Sequence, residues 1–314
     1  MNTSRMCRSV LGMAVVGLLL GTGSGVSSAA EVSADLGGER QVSSSGAVRD
    51  ERMLRITSTA DSLRAPDTAK PGPATFRAET TAGDSGWVGL ARLHDGVSWE
   101  QFRVALKGTL SSDPTDIVEG SAELNRSADL LGGVVIHPGD PGFFTQRLRP
   151  GEYVLFDYKD IVRTAQPRHT ELTVRGQARG SVAKPSATLV SRTVPGVGPR
   201  FEVDGTVRGG KPVRFVNTMD RQINEAVFFP VGDEVTRERL QRFFESFGDN
   251  GEFPPNPPVD LASGLGTLPL SADESVDFRV PLEPGRYAVL TFIKDADDGV
   301  RLGAKGQYEI IRVE

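Results

Sequence analysis

From Met53 onward, short apolar runs alternate with clusters of Gly, Pro and Asp, which predicts many short strands joined by turns. "ATFRAET", "WVGLARL", "GEYVLFDY" and "HTELTVRG" read as strands in the first half. "RFEVDGTV", "PVRFVNT", "EAVFFPV", "SVDFRVPL", "RYAVLTFI" and "QYEIIRVE" do so in the second. Two segments break the pattern with helical spacing. In the first, Ser98 is placed to cap a helix with Gln101 reaching back, and Trp99, Phe102, Ala105 and Leu106 form one apolar face. In the second, Thr236 is the cap and Leu240, Phe243, Phe244 and Phe247 form the stripe. That spacing predicts helices packed on a core rather than an aromatic ligand site.

The pattern occurs twice. Phe76 in "ATFRAETT" aligns with Phe215 in "PVRFVNTM", an offset of 139, and Ser98 aligns with Thr236, an offset of 138. Tyr153 in "LRPGEYVLF" aligns with Tyr287 in "LEPGRYAVL", an offset of 134. The order is the same in both halves and only the loops differ in length, so the chain reads as two copies of one domain. The copies are expected at 53–177 and 199–314, with a linker at 178–198 around "GSVAKPSATLVSRTVPGVGP" that has room for a strand.

The start of the chain has a different character. Arg5 and Arg8 precede the apolar run "VLGMAVVGLLL" (Val10–Leu20), and "SSAA" (Ser27–Ala30) offers small residues for cleavage. Residues 1–30 therefore read as a signal peptide, with a secreted, extracellular protein as the consequence. An uncleaved anchor is the alternative, although the run is short for a membrane span. Residues 31–52, rich in Ser, Gly and charge, read as a flexible leader. The single cysteine, Cys7, falls within the signal segment, so the mature chain has no disulfide, thiolate ligand or cysteine nucleophile. Losing Arg5 and Arg8, with no acid, takes the formal net charge from −5 to −7. That balance argues against a nucleic-acid partner, which needs a basic surface overall.

A polar turn, the helix segment "LARLHDGVSWEQFRVAL", a Gly-rich stretch and then "L-x-PG-x-Y" with a buried strand follow one another in order. This succession resembles bacterial cupredoxin-like domains of the plastocyanin and azurin kind. The resemblance implies an all-β fold of two tandem Greek-key β-sandwiches, each with one inserted short helix. It also implies where copper ligands would stand in a copper-binding member. In the second copy the first-histidine region holds Asn224 and Glu225, the cysteine position is Thr291, and the later ligands fall near Leu302 and Gln307. In the first copy the corresponding places are near Gly86, at Asp157 and around His169. A blue copper centre needs a thiolate and imidazoles together, and neither copy has that set.

Other chemistry is sparse. "GDSGW" (Gly83–Trp87) would need His94, His137 or His169 to approach Ser85, and reads more simply as a turn. "DADDG" (Asp295–Gly299) lacks the spacing of a calcium loop. "HPGDPG" (His137–Gly142) and "PPNPP" (Pro254–Pro258) read as a tight turn and a rigid excursion, and Glu119 and Glu123 show no acid–base partner arrangement. No catalytic, cofactor or metal residue is assigned. The expected function is noncatalytic binding of an extracellular protein, envelope component or small ligand, through loops at one sandwich end or the groove between the copies. Two alternatives stay open. One is a metal-binding or redox protein with an unconventional site around His137 and His169, and the other is a hydrolase whose site is not visible in the sequence.

Overall fold

The computed structural model describes residues 52–178, 180–182, 184–248 and 252–314. The segment read as a signal peptide, and that read as a leader up to residue 51, lie outside the described residues. The first copy contains β1 (Arg52–Ser58), β2 (Leu63–Arg64), β3 (Thr68–Ala69), β4 (Gly72–Thr80) and β5 (Gly86–Leu93). Next come the helices α1 (Trp99–Thr109) and α2 (Pro114–Ser127), then β6 (Ala128–Ile136), β7 (Gly142–Leu148) and β8 (Gly151–Asp157). A single turn, α3 (Asp160–Arg163), and β9 (His169–Val174) complete it. The second copy contains β10 (Ala187–Val194), β11 (Gly198–Gly205), β12 (Val213–Asn217), β13 (Asn224–Pro230) and α4 (Arg237–Glu245). It ends with β14 (Leu265–Leu270), β15 (Ser275–Arg279), β16 (Gly285–Leu290) and β17 (Tyr308–Val313).

Two sheets run through both copies. One has the order β11-β10-β12-β15-β7-β4-β1-β2, and the other β17-β16-β13-β14-β6-β5-β8-β9-β3. Counted from its own first strand, the second copy has the orders 2-1-3-6 and 8-7-4-5, a Greek-key sandwich. The first copy repeats both orders once the two-residue β3 is set aside. Each copy opens alike: β1 runs parallel to β4, and β10 runs parallel to β12. The orders are palindromic about the β7–β15 and β6–β14 junctions, which are both antiparallel, as a local two-fold axis between the copies requires. Phe144 faces Phe278 across β7–β15, and these residues are related by the same offset of 134 that relates Tyr153 to Tyr287. The axis therefore passes between them.

One apolar layer fills the space between the sheets along both copies, from Ile56, Phe76 and Phe144 through Phe278 and Phe228 to Val289. Phe76 and Phe144 stack at 4.6 Å, and each buried ring of this kind contributes on the order of 1.5–3 kcal/mol. The helices pack on the outer face of the nine-stranded sheet. Phe102, Leu106 and Leu124 join one outer cluster, and Leu240, Phe243 and Phe244 join another. The expected capping box is present, with Ser98 and Gln101 bonding reciprocally, and Thr236 caps α4 by accepting from Arg239 N. Among the described residues no helix is long and apolar enough to cross a membrane.

The "PG-x-Y" motif has a structural role in both copies. Tyr153 Oη donates to Arg149 O and accepts from Arg149 N, both at 2.8 Å. Tyr287 Oη makes the same pair with Glu283 O at 3.0 Å and Glu283 N at 3.1 Å. Each tyrosine pins the turn that starts its strand, a tyrosine corner. Replacing Tyr153 or Tyr287 with phenylalanine is expected to cost about 1–2 kcal/mol, read as a shifted midpoint in urea unfolding.

Three sequence expectations need correction. The first copy has a helical hairpin rather than one inserted helix. Its second helix, α2, is capped by Asp113, which accepts from Thr115 N, and carries Pro114 in its first turn. The hairpin closes over two glycines: a Cβ on Gly120 would lie 2.7 Å from Gly108 Cα. The span 178–198 is not only a linker, because β10 pairs on both sides and is the first strand of the second copy. At the other boundary, β1 begins at Arg52, one residue inside the expected leader.

Candidate functional site

In the second copy, the positions implied as copper ligands are only partly brought together. Asn224, at the start of β13, donates through Nδ2 to Gln307 Oε1 at 2.8 Å and Ser191 Oγ at 2.6 Å. Gln307 Nε2 in turn donates to Ser191 Oγ at 2.8 Å, and both amides lie 3.6 Å from Met219 Sδ. Asn224, Gln307 and Ser191 are fully buried and Met219 nearly so. Amides and a hydroxyl thus satisfy one another where a metal would sit, leaving no anionic or imidazole donor. Thr291 is fully buried, but its hydroxyl accepts from Ile293 N at 3.2 Å instead of joining the network. Leu302 packs in the apolar cluster beside it.

This end of the second copy is also covered by the first. Met219, Ile223, Ile293 and Leu302 pack with Phe102, Leu106 and Leu124 of the helical hairpin. Lys294 Nζ donates to Ser111 O, and Asn125 Nδ2 donates to Arg221 O at 2.8 Å. Glu225 points away from the Asn224 network and accepts from Phe292 N at 3.0 Å. Burial pushes its carboxyl up to about 7, against the pull of that hydrogen bond and of Arg301. Burial, and then Glu225, push the Tyr158 phenol well above its usual value, and its hydroxyl is buried without a hydrogen-bond partner.

The first copy fills the same place with ions. Gly86 supplies no side chain, and a Cβ there would meet Ile136 Cγ1 at 3.0 Å. Asp157, at the cysteine position, is fully buried and accepts from Arg168 Nη2 at 2.9 Å. Arg168 also donates through Nε to Asp160 Oδ2 at 2.6 Å, through Nη1 to Ser58 Oγ at 3.2 Å, and to Thr59 O. A guanidinium therefore occupies the neighbourhood that the resemblance reserves for a metal. Desolvation, followed by repulsion from Asp160, pushes Asp157 up to about 6 even though Arg168 and Lys159 pull it down. The sequence reading passed over Arg168 in favour of its neighbour His169. The available signal was a carboxylate at the cysteine position with Asp160 and Arg168 close behind it.

The histidines do not converge. His169 is exposed, stacked on Trp99 at 4.1 Å, with Nδ1 3.0 Å from Pro167 O. His137, at the far end of β6, has Nε2 3.0 Å from Gly264 O. In the sheet order, β6 and β9 are separated by β5 and β8, about 14 Å across. His94 is occupied by Asp129 Oδ1 at 3.1 Å and Arg126 O at 2.8 Å. Ser85 has Lys159 as its neighbour, which also holds Asp84 at 3.0 Å. In the acidic loop, Asp295 and Asp298 both close on Lys305, at 2.7 and 2.6 Å. Among the described residues, no three His, Cys, Asp or Glu side chains form a metal-holding group.

One open feature is a groove of about 530 Å³ between the copies. Arg92, Asp129, Arg147 and Arg149 line it from the first copy, Asp273, Glu274 and Asp277 from the second, and Ser181 and Val182 from the connection. It forms where β7 and β15 diverge after three paired positions, with Gln146 Nε2 bridging to Leu131 O and Ser275 O at 2.8 Å each. Arg214 grips Asp277 through two bonds of 2.7 and 2.8 Å, and Arg92 reaches Asp129 at 3.2 Å. Glu274 is partly buried, and desolvation followed by Asp129 raises its carboxyl pKa against Arg149 and Arg92. Arg147 and Arg149 are exposed and form no ion pair among the described residues.

No protein-family model matches the sequence, and no curated protein matches it significantly. Among solved structures, the chain is similar to auracyanin B at 19% identity, covering 43% of this chain and 93% of that one, with a TM-score of 0.25. It is similar to a dithionite-reduced auracyanin from the photosynthetic bacterium Roseiflexus castenholzii at 20% identity, over 40% of this chain and 94% of that one, with a TM-score of 0.26. It is also similar to a copper nitrite reductase from Nitrosomonas europaea at 13% identity, over 84% and 93% of the two chains, with a TM-score of 0.23. Both copies are cupredoxin-like β-sandwiches by their strand orders.

Proposed function

We propose that the protein is a secreted, noncatalytic binding protein whose ligand site is the groove between the two copies. The observation that carries this reading is the groove itself, polar and open, with two exposed arginines and a partly buried glutamate supplied from both copies. The ends of the sandwiches offer less, since one is filled by neutral amides under the helical hairpin and the other by Arg168 and its carboxylates. A groove lined with both signs of charge suits a polar ligand, oriented by a few charge-assisted bonds.

The test is a thermal-shift and calorimetric screen of the purified protein against phosphate, mono- and dicarboxylates, amino acids and neutral sugars. At least one charged member of the panel is expected to raise the melting temperature, and Arg149→Ala is expected to weaken its binding about tenfold or more. Binding that Arg149→Ala leaves unchanged, or a flat panel, would overturn the groove as the ligand site.

A further inference from the structure

We propose that the outer face of the eight-stranded sheet binds an acidic polysaccharide, an extended glycan whose anionic groups are held by arginines that lack internal partners. The proposal rests on the groove reading, because Arg147 and Arg214 belong to both the face and the groove.

The two sheets differ in what covers them. The apolar sides of α1, α2 and α4 all join clusters on the nine-stranded sheet. On the eight-stranded sheet, Phe76, Phe144 and Phe278 point inward to the core, so their neighbours along each strand point outward. The outward positions of these strands include the basic side chains Arg55, Arg77, Arg147, Arg214 and Arg279, alongside the acids Glu79 and Asp277, on a chain whose formal net charge is −5. Arg77 is held by Glu79, and Arg214 by Asp277. Arg55, Arg147 and Arg279 have no ion pair among the described residues. Arg279 lies 4.1 Å over the ring of Phe143, which holds its planar fork in place above the sheet.

The spacing points to a chain rather than a small anion. Register places Arg55 beside Arg77, Arg77 beside Phe143, and Phe143 beside Arg279. Arg55 and Arg279 therefore stand three strand spacings apart, about 14 Å, and Arg147 lies about 14 Å along β7 from Phe143. No single carboxylate, sulfate or phosphate spans those positions, whereas a polymer carrying such groups at intervals does. A guanidinium binds each of these groups through paired bonds. Single-stranded nucleic acid fits less well, because it needs free aromatic platforms and Arg279 covers the Phe143 ring. A lipid surface fits less well too, since among the described residues Met53 is the only one of the exposed large apolar side chains that lies on these strands.

The test measures binding of the full secreted chain to polygalacturonate, dextran sulfate, neutral dextran and a single-stranded DNA of matched charge density. The acidic glycans are expected to bind and to weaken steeply as salt rises from 50 to 300 mM, about the range over which exposed charges become screened. Arg55→Ala combined with Arg279→Ala is expected to cut that affinity about tenfold, with an unchanged unfolding curve. Because neither residue lines the groove, small-ligand binding is expected to survive the double substitution and to fail only in Arg149→Ala. Equal binding by the double variant, equal binding of neutral dextran, or DNA binding as tight as the acidic glycans would each sink the proposal. If the small-ligand panel is also flat, the groove reading falls with it.

Discussion

Substituting Arg168 with methionine is expected to destabilise the protein by about 3–5 kcal/mol at pH 7.5, the largest single effect foreseen for this fold. Asp157 is fully buried and Asp160 partly buried, and the guanidinium is their shared counter-charge at 2.9 and 2.6 Å. Removing it leaves a buried carboxylate with no hydrogen bond but that from Lys159 N among the described residues, which costs far more than the intact pair contributes. The loss is expected to shrink in acid. Burial and Asp160 already raise Asp157 to about 6, and without Arg168 it would take up a proton at still higher pH. The double variant Asp157→Asn with Arg168→Met is expected to recover a large part of the loss, so the two single effects are strongly non-additive. Urea unfolding of the four proteins at pH 5 and 7.5 measures this. A pH-independent loss below about 1 kcal/mol would mean that water, not Arg168, balances Asp157.

Much of this arrangement was legible in the sequence, and the misses have physical causes. Alternation marked β4, β11 and β12, whereas β5, β8 and β13 were legible as short apolar runs between turn residues. The central strands β6 and β14 were not named, since they are buried along nearly their whole length and show no alternation. In addition, α2 passes straight into β6 at Ala128, without a turn residue to mark the boundary. The tyrosine motif was visible as a repeat, but its purpose, two hydrogen bonds back to the residue four positions earlier, appears only in three dimensions.

At the candidate sites, the resemblance singled out Asn224, Gln307 and Asp157 as positions. What it did not convey is which partner each finds in the fold. Asn224 depends on Ser191, which lies in a strand the sequence reading placed in the linker, and Asp157 depends on an arginine eleven residues on. Hydrogen-bond satisfaction is a property of the assembled core, and a sequence shows only its donors and acceptors. The groove was foreseen only as a place between the copies. Its lining follows from the local two-fold axis, which brings Glu274 of one copy beside Arg149 of the other.

A second large effect is expected from pH. Glu225 is almost wholly buried, and burial raises its carboxyl from 4.5 to about 7. The folded protein therefore binds this proton more tightly than the unfolded chain does. Stability from this group is fully present below about pH 4.5 and is lost as pH rises through about 7, by on the order of 3 kcal/mol. Asp157 works in the same direction between its usual 3.8 and about 6. Lys294, lowered to about 8 by burial and then Arg301, titrates above most of this window. Glu225→Gln keeps an acceptor for Phe292 N but cannot ionise, so its unfolding free energy is expected to fall less between pH 4.5 and 8. Arg301, lowered to about 10, stays protonated across this window, and the variant removes the attraction of Glu225 for it only where Glu225 is ionised, toward pH 8. The diagnostic is the difference in slope between the two proteins. Parallel stability curves for wild type and Glu225→Gln would show that Glu225 is ionised across the whole range, with Arg301 holding its charge.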